Sequence, residues 1–279
     1  MSFETALLVG LLVTGMLAVG TASDPKAVRD RLTRPWPLLL AVAVNSLVVP
    51  ALALVAIRLS DPPPGVALGV LLVASAPGGG TGALLSTHAR GDASLAVVLQ
   101  AVLAVVSLAT APLWVAVSGD ATGLPLRDAV VVIVPALLLL QVAPVVVGST
   151  LRVHRPGTAA RLGAMSRRVA DLLLLAVVVL LTARNIDLLT ATPAATWSLL
   201  LVVVVRTGVA GAALPGTDRA SSRAVLMTTM VRNLSLALLL AADRDSATAT
   251  VLTYGLLMYA AAVAVVVGLR GRETRLTRA

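Results

Sequence analysis

The 279-residue chain has no cysteine, which removes disulfides, thiolate metal sites and cysteine nucleophiles together. Its two histidines, His88 and His154, fall near expected helix ends and give no basis for a histidine metal site. Only 13% of the residues are charged, about half the share carried by a soluble domain. No acidic residue lies deep in an apolar run, apart from Asp171 near the start of one, which argues against a carboxylate proton relay. The serines have no neighbouring base. An enzyme needs a nucleophile, an acid/base pair or a metal. The sequence assembles none of these, so neither catalysis nor a cofactor is expected. Lys26 is the only lysine, and the general preference for arginine carries little functional meaning.

What the chain does have is hydrocarbon. It is 58% apolar, and its mean hydropathy is +0.97. Apolar runs recur through the whole sequence, which reads as an all-α polytopic membrane protein. We expect nine spans, at roughly 4–22, 36–59, 65–87, 94–118, 127–150, 167–184, 194–214, 220–242 and 247–269. Connections are short, so residues 1–279 form one transmembrane domain. Pro62-Pro63-Pro64 is a tight connector, because proline cannot donate to a helix ladder. The first run is preceded by Glu4 and by no Lys or Arg, the wrong charge for a signal peptide, so a retained first helix is expected.

The net charge of +9 resembles that of a nucleic-acid binder, but the arginines sit in short loops between apolar spans. Sixteen of the 22 Lys and Arg residues fall in the odd-numbered loops and the C-terminal tail, and four, Arg58, Arg127, Arg184 and Arg244, fall on the other side. The positive-inside rule then puts the C-terminus in the cytoplasm and the N-terminus outside, in a cytoplasmic (inner) membrane. Arg206 and Arg232 lie inside spans. Arg206 is read as a snorkelling side chain near the cytoplasmic third.

Two spans are interrupted. The third contains Ala76-Pro77-Gly78-Gly79-Gly80-Thr81-Gly82, and the eighth contains Thr228-Thr229-Met230-Val231-Arg232-Asn233-Leu234-Ser235. Proline and clustered glycine do not hold a regular helix. Freed backbone groups in hydrocarbon must be satisfied inside the protein or in a watery cavity. Both broken spans exit through a short charged segment, Ala89-Arg90-Gly91-Asp92 in one case and Asp243-Arg244-Asp245 in the other, into a further apolar helix. By the loop count they run in opposite directions. Matching breaks in inverted repeats, about 1–120 and 125–270, point to a transport site near the bilayer midplane.

Arg232 is the sharpest single signal. At a helix centre an arginine costs about 2.5–3.5 kcal/mol on insertion scales, so it should face a polar cavity or a partner. Asn45, five residues before Pro50, Gln100 and Gln141 are the other polar groups deep in spans, each able to hydrogen-bond between helices. The candidate site is Asn45, Pro77, Gly78, Gly79, Thr81, Gly82, Gln100, Thr228, Arg232, Asn233 and Ser235.

Pro77-Gly78-Gly79, then Ala89-Arg90-Gly91-Asp92, Leu95 and Thr110-Ala111-Pro112, resembles the bile acid:sodium symporter family. Arg232-Asn233-Leu234-Ser235-Leu236-Ala237-Leu238 is similar to the family's QNSALAL segment, and Asn45 to Pro50 is similar to its Gln-to-Pro spacing. Gln141-Val142-Ala143-Pro144 and Gly148 also fit. The resemblance extends from Ala6 to about Gly268. It implies core and panel subdomains that rock against each other, crossed broken helices in the core, and transport of organic anions with sodium. It also implies that the usual first helix of ten is missing here.

The departures concern sodium. Where the family has Ser-Asn after the glycine turn, this chain has Gly82-Ala83. The serine and threonine of the next helix correspond to Ala96 and Gln100, the glutamate of the second crossover to Thr228, and its glutamine to Arg232. Most oxygen ligands are gone and a fixed cation is present. The expectation is a secondary carrier of small organic anions working in the bilayer without bound sodium. A sodium-coupled symporter, an arsenite-type efflux carrier (disfavoured by the lack of cysteine) and an intramembrane enzyme are the alternatives.

Overall fold

The computed structural model describes residues 3–33, 35–118, 126–184, 186–212, 217–241 and 244–276. Arg34, Leu214, Ala242, Asp243 and Arg278 lie outside these. Every regular element among the described residues is a helix. In chain order they are α1 (Phe3–Ala22), α2 (Pro25–Thr33), α3 (Trp36–Ala43), α4 (Val49–Ser60), α5 (Pro64–Ser75), α6 (Gly80–His88) and α7 (Ala93–Val117). There follow α8 (Leu126–Leu137), α9 (Ala143–His154), α10 (Pro156–Arg184), α11 (Ile186–Ala191), α12 (Ala194–Ala212), α13 (Arg219–Met230), α14 (Leu234–Ala241) and α15 (Asp245–Leu276).

Among the described residues, seven helices are long and apolar enough to cross a membrane: α1, α3–α4, α7, part of α8–α9, α12, α13–α14 and α15. The third expected span is made of two short pieces, α5 and α6. The sixth is the apolar end of α10, a 29-residue helix that begins at Pro156 rather than at residue 167. The sequence reading did not anticipate α2, which carries Lys26 and Arg29 in the first loop, or α11.

Exposure runs opposite to that of a soluble protein. Large apolar side chains such as Leu39, Leu139 and Leu172 point outward, each more than half exposed. Asn45, Gln100, Gln141 and Arg232 are at most 1% exposed. With lipid outside, polar groups gain nothing at the surface and must find partners within. Helices α1, α9 and α10 pack together, α5 lies along α15, and α13 lies along α6 and α12. The face of α5 that meets α15 carries Gly65 and Gly69, where a Cβ would stand 2.6 Å from Ser246 and 2.7 Å from Thr250. This small-residue seam lets the two backbones approach closely.

Two of the long helices have a π turn, Val44–Val48 between α3 and α4 and Leu138–Val142 between α8 and α9. In the first, the Val49 amide reaches back to Val44 O. The next amide in the ladder is missing because residue 50 is proline. The Asn45 and Ser46 carbonyls are thereby freed, in the manner of a π turn that opens a helix for another group. Trp114 Nε1 takes one of them, donating to Ser46 O at 2.7 Å.

Both breaks are narrower than the sequence suggested. The first covers residues 76–79, with Gly80, Thr81 and Gly82 already in α6. The second covers residues 231–233, so Thr228 and Thr229 end α13 and Ser235 lies in the first turn of α14. The reason at the second break is capping. Asn233 Oδ1 accepts from the Leu236 amide at 3.1 Å, an N-cap that starts the helix at once.

Candidate functional site

The two breaks meet. The Asn233 amide donates to Ala76 O at 2.9 Å, so one broken backbone is hydrogen-bonded to the other. Gly79 lies directly against Arg232, where a Cβ would stand 2.8 Å from Arg232 O. Gly78 has φ +83°, the left-handed region that favours glycine. These two residues let the chain turn and then pass the second break at backbone distance.

Each amide of the second break has an acceptor. Val231 donates to Met227 O at 3.0 Å, Arg232 to Met258 Sδ at 3.1 Å, and Asn233 to Ala76 O. This meets the requirement that buried backbone groups be paired.

Arg232 fills the junction. Its Nη1 donates to Asn45 Oδ1 at 2.8 Å, its Nε to Val73 O at 3.3 Å, and its Nη2 to Ala74 O and to Asn45 O, the latter at 3.4 Å. Val73 and Ala74 end α5, where the last carbonyls of a helix lack intrahelical amides and carry its negative dipole end. Asn45 O is the carbonyl freed by the π turn and Pro50. A guanidinium has five donors in a fixed fork, which suits several carbonyls converging from different directions. The cation is thus solvated by backbone oxygen and by one amide side chain.

A polar chain extends from there. Asn45 Nδ2 donates to Thr229 Oγ1 at 2.9 Å and to Ala41 O at 2.9 Å. Asn233 Nδ2 donates to Gln141 Oε1 at 2.9 Å, and Gln141 Nε2 to Ser107 Oγ at 3.2 Å. Gln100 Nε2 donates to Gly79 O at 2.7 Å, while its Oε1 is buried without a hydrogen-bond partner. Gly82 is pressed between Gln100 and Thr228, with a Cβ position 2.9 Å from Gln100 Nε2.

The structure therefore brings Asn45, Pro77, Gly78, Gly79, Gly82, Gln100, Arg232 and Asn233 into one junction. Thr228 packs beside it but donates its hydroxyl to its own helix, at Ala224 O and Val225 O. Ser235 is 8% exposed and takes part in none of the hydrogen bonds just described. Thr81 points elsewhere, sharing a 3.2 Å hydrogen bond with Tyr259 and lining a separate cavity. Sequence reasoning left out Thr229, which stood inside the quoted segment, and did not join Gln141 to Asn233, since nothing in the spacing relates the two.

That cavity, of about 350 Å³, runs between α1, α6, α7 and α10. Ala18, Val19 and Val97 form apolar walls, and Asp24, Thr87, Ser94, Arg167 and Asp171 supply polar groups. Thr81 lies in the first turn of α6, at the positive end of that helix's dipole.

A helical membrane chain in which two interrupted helices meet over a buried polar junction, beside an open cavity, has the build of a transporter. The model of the sodium bile acid symporter family matches residues 8–192, and the chain belongs to that family of membrane transporters. The match takes in the first break and the π turns; Arg232 and the second break lie beyond it. No curated protein sequence matches the chain.

Proposed function

We propose that the protein is a secondary transporter that carries small organic anions by alternating access, without a bound sodium ion. The observation that carries this reading is the use made of Arg232. Its guanidinium stands among oxygens of the kind that bind a sodium ion, the carbonyls of a broken helix and a side-chain amide, and it is held there by four hydrogen bonds. Arginine stays protonated, so the charge is permanent and cannot leave with the substrate. Because four of its five donors are spent on the protein, Arg232 serves the junction rather than the cargo. A substrate anion would instead enter the 350 Å³ cavity, where Arg167, the Thr81, Thr87 and Ser94 hydroxyls and the start of α6 offer donors beside the carboxylates of Asp24 and Asp171. Transport is then uniport, exchange or linked to protons through the substrate itself.

The wider frame of the reading is a single domain over 1–279 with nine spans, α5–α6 counting as the third and the end of α10 as the sixth. Inverted repeats lie at about 1–120 and 125–270. The mutual packing of α1, α9 and α10 supports a panel that moves against a core, which α1 meets at α6, α7 and α14. With the N-terminus outside, the cavity rim at Asp24, Thr87 and Arg167 opens to the cytoplasm, in the inner membrane. Labelling a Ser2→Cys variant tests this, since the native chain has no cysteine. Reaction from the outside is expected, and reaction from the cytoplasm alone would overturn the topology.

Counterflow uptake in proteoliposomes against a panel of organic acids tests the function. We expect accumulation of at least one acid, equal in sodium and in potassium. No uptake of any acid would remove the carrier reading; stimulation by sodium would remove the claim of independence. One observation favours the sodium-coupled alternative: Gln100 Oε1 is a buried oxygen without a partner beside Gly78. A single oxygen is far short of the several that a hard cation requires.

A further inference from the structure

Tyr259 is a polar side chain deep in a span that the junction does not use. It lies on α15, fourteen residues after Asp245, or about 21 Å along the helix. The apolar part of that helix is Asp245–Leu269, 25 residues long, so Tyr259 stands near its middle. Its hydroxyl meets Thr81 Oγ1 at 3.2 Å. Thr81 is in the first turn of α6, just past the first break, so this contact is made beside the junction.

A cavity stands on each side of the contact. Thr81 lines the 350 Å³ cavity, together with Ala22 at the end of α1, Thr87 near the end of α6 and Ala93 at the start of α7. Tyr259 lines a separate void of about 70 Å³, together with Thr182 near the end of α10, Leu238 near the end of α14 and Leu252, seven residues into α15. Helix α10 contributes to both. Asp171 lines the cavity and Thr182 lines the void. Eleven residues make three turns, so the two share one face of α10, about 16 Å apart along it. The cavity and the void therefore lie toward opposite membrane faces, with the Thr81–Tyr259 contact between them. Thr182 Oγ1 is buried without a hydrogen-bond partner, although a threonine in a helix ordinarily bonds back to its own turn.

We infer, on the alternating-access reading, that the Thr81–Tyr259 contact is the barrier of the transport path, and that the path continues past it through the void, along the face of α10 that carries Thr182. Helix α10 packs mainly on α1 and α9 and touches α15 lightly, so parting α10 from α15 breaks few contacts. Rocking of a panel against a core does this. The void then widens toward the ends of α10 and α14, and the Thr182 hydroxyl meets the cargo on that side as the Thr87 and Ser94 hydroxyls do on the other. One hydrogen bond and one aromatic ring separate the two halves of the path.

The chain has no cysteine, so single cysteines report access directly. The probe is a charged thiosulfonate that does not cross membranes, applied to each face in turn with cells and inverted vesicles. Ser94→Cys, in the cavity, identifies the cavity's own face. From that face Thr182→Cys should react slowly while Tyr259 is in place. Tyr259→Phe removes only the hydrogen bond and should raise this rate about fivefold, the ratio for one net hydrogen bond. Tyr259→Ala removes the ring as well and should bring the rate close to that of Ser94→Cys; Tyr259→Phe covers the case in which it does not fold. An unchanged Thr182→Cys rate in every Tyr259 variant that folds would overturn the proposal. So would a rate equal to that of Ser94→Cys with Tyr259 in place. Counterflow is read separately: faster labelling in the Tyr259 variants, with no uptake of any acid by the native protein, would support the barrier and remove the organic-anion reading alone.

Discussion

The two breaks open their helices by opposite means. The first, Ala76 to Gly79, contains no side chain that can hydrogen-bond, and with the end of α5 it presents carbonyls: Val73, Ala74 and Ala76 all point oxygens at the second break. The second, Val231 to Asn233, presents donors: one guanidinium, one carboxamide and the Asn233 amide. Neither break is satisfied alone. A carbonyl without a partner in hydrocarbon is costly and a buried cation without one far more so, and here each resolves the other. No carboxylate is required, because oxygens converge from α5 and the π turn onto one fork.

The strongest way to break this complementarity is to remove the fork. Arg232→Gln keeps two donors but cannot reach Val73, Ala74 and Asn45 together. Each orphaned buried acceptor costs roughly 1–3 kcal/mol, so a loss of several kcal/mol is expected. The measurement is thermal unfolding of the purified protein, with counterflow on whatever fraction folds. A marked fall in melting temperature and loss of uptake are expected. Unchanged stability with full uptake would mean that the junction does not depend on the arginine.

The sequence made the broken helices legible because proline and glycine announce themselves: Pro77 with Gly78 and Gly79 cannot be ordinary helix. Arg232 was legible as a charge that needed a partner in the membrane. Its partners were not, because three of the four acceptors are backbone carbonyls and carry no residue identity. Asn45 was visible as a polar residue before Pro50, but the π turn that frees its carbonyl depends on how the ladder is rerouted around the missing amide. The Asn233–Gln141 bond links positions 92 apart in sequence, which no local pattern relates. The break limits were set too wide because glycine content was read as interruption, while Gly80 and Gly82 sit in the first turn of α6. Arg167 and Asp171 were counted as loop charge or a span edge and not as cavity lining, since the partner wall comes from α1, α6 and α7.

A smaller change tests the first break without touching a donor. Gly79 has φ −72° and ψ 134°, which alanine adopts freely. Its methyl group would still lie 2.8 Å from Arg232 O and 3.3 Å from Asn233 Cα, both backbone atoms that cannot rotate away. Gly79→Ala should therefore force the breaks apart, at a cost of about 1–3 kcal/mol for overpacking. We expect reduced counterflow and a lower melting temperature, both milder than in Arg232→Gln. Native behaviour in this variant would show that the close approach at Gly79 is dispensable.

The smallest effect is expected at Thr228, and it sharpens the comparison because this position corresponds to the carboxylate in the family resemblance. If any ion-ligating role survived here, the hydroxyl oxygen would have to serve it. In the structure that hydroxyl donates to Ala224 O at 2.8 Å and to Val225 O at 3.1 Å, within α13. Both are carbonyls of the same helix, so the bonds are the back-bonding kind that a threonine makes in any helix interior. Thr228→Val keeps the shape and removes only this exchange, worth about 1 kcal/mol or less. Melting temperature and counterflow should stay close to native, in sodium and in potassium alike. A large loss of uptake in Thr228→Val with the fold intact would assign Thr228 a ligand role and move the functional centre from the arginine fork to the end of α13.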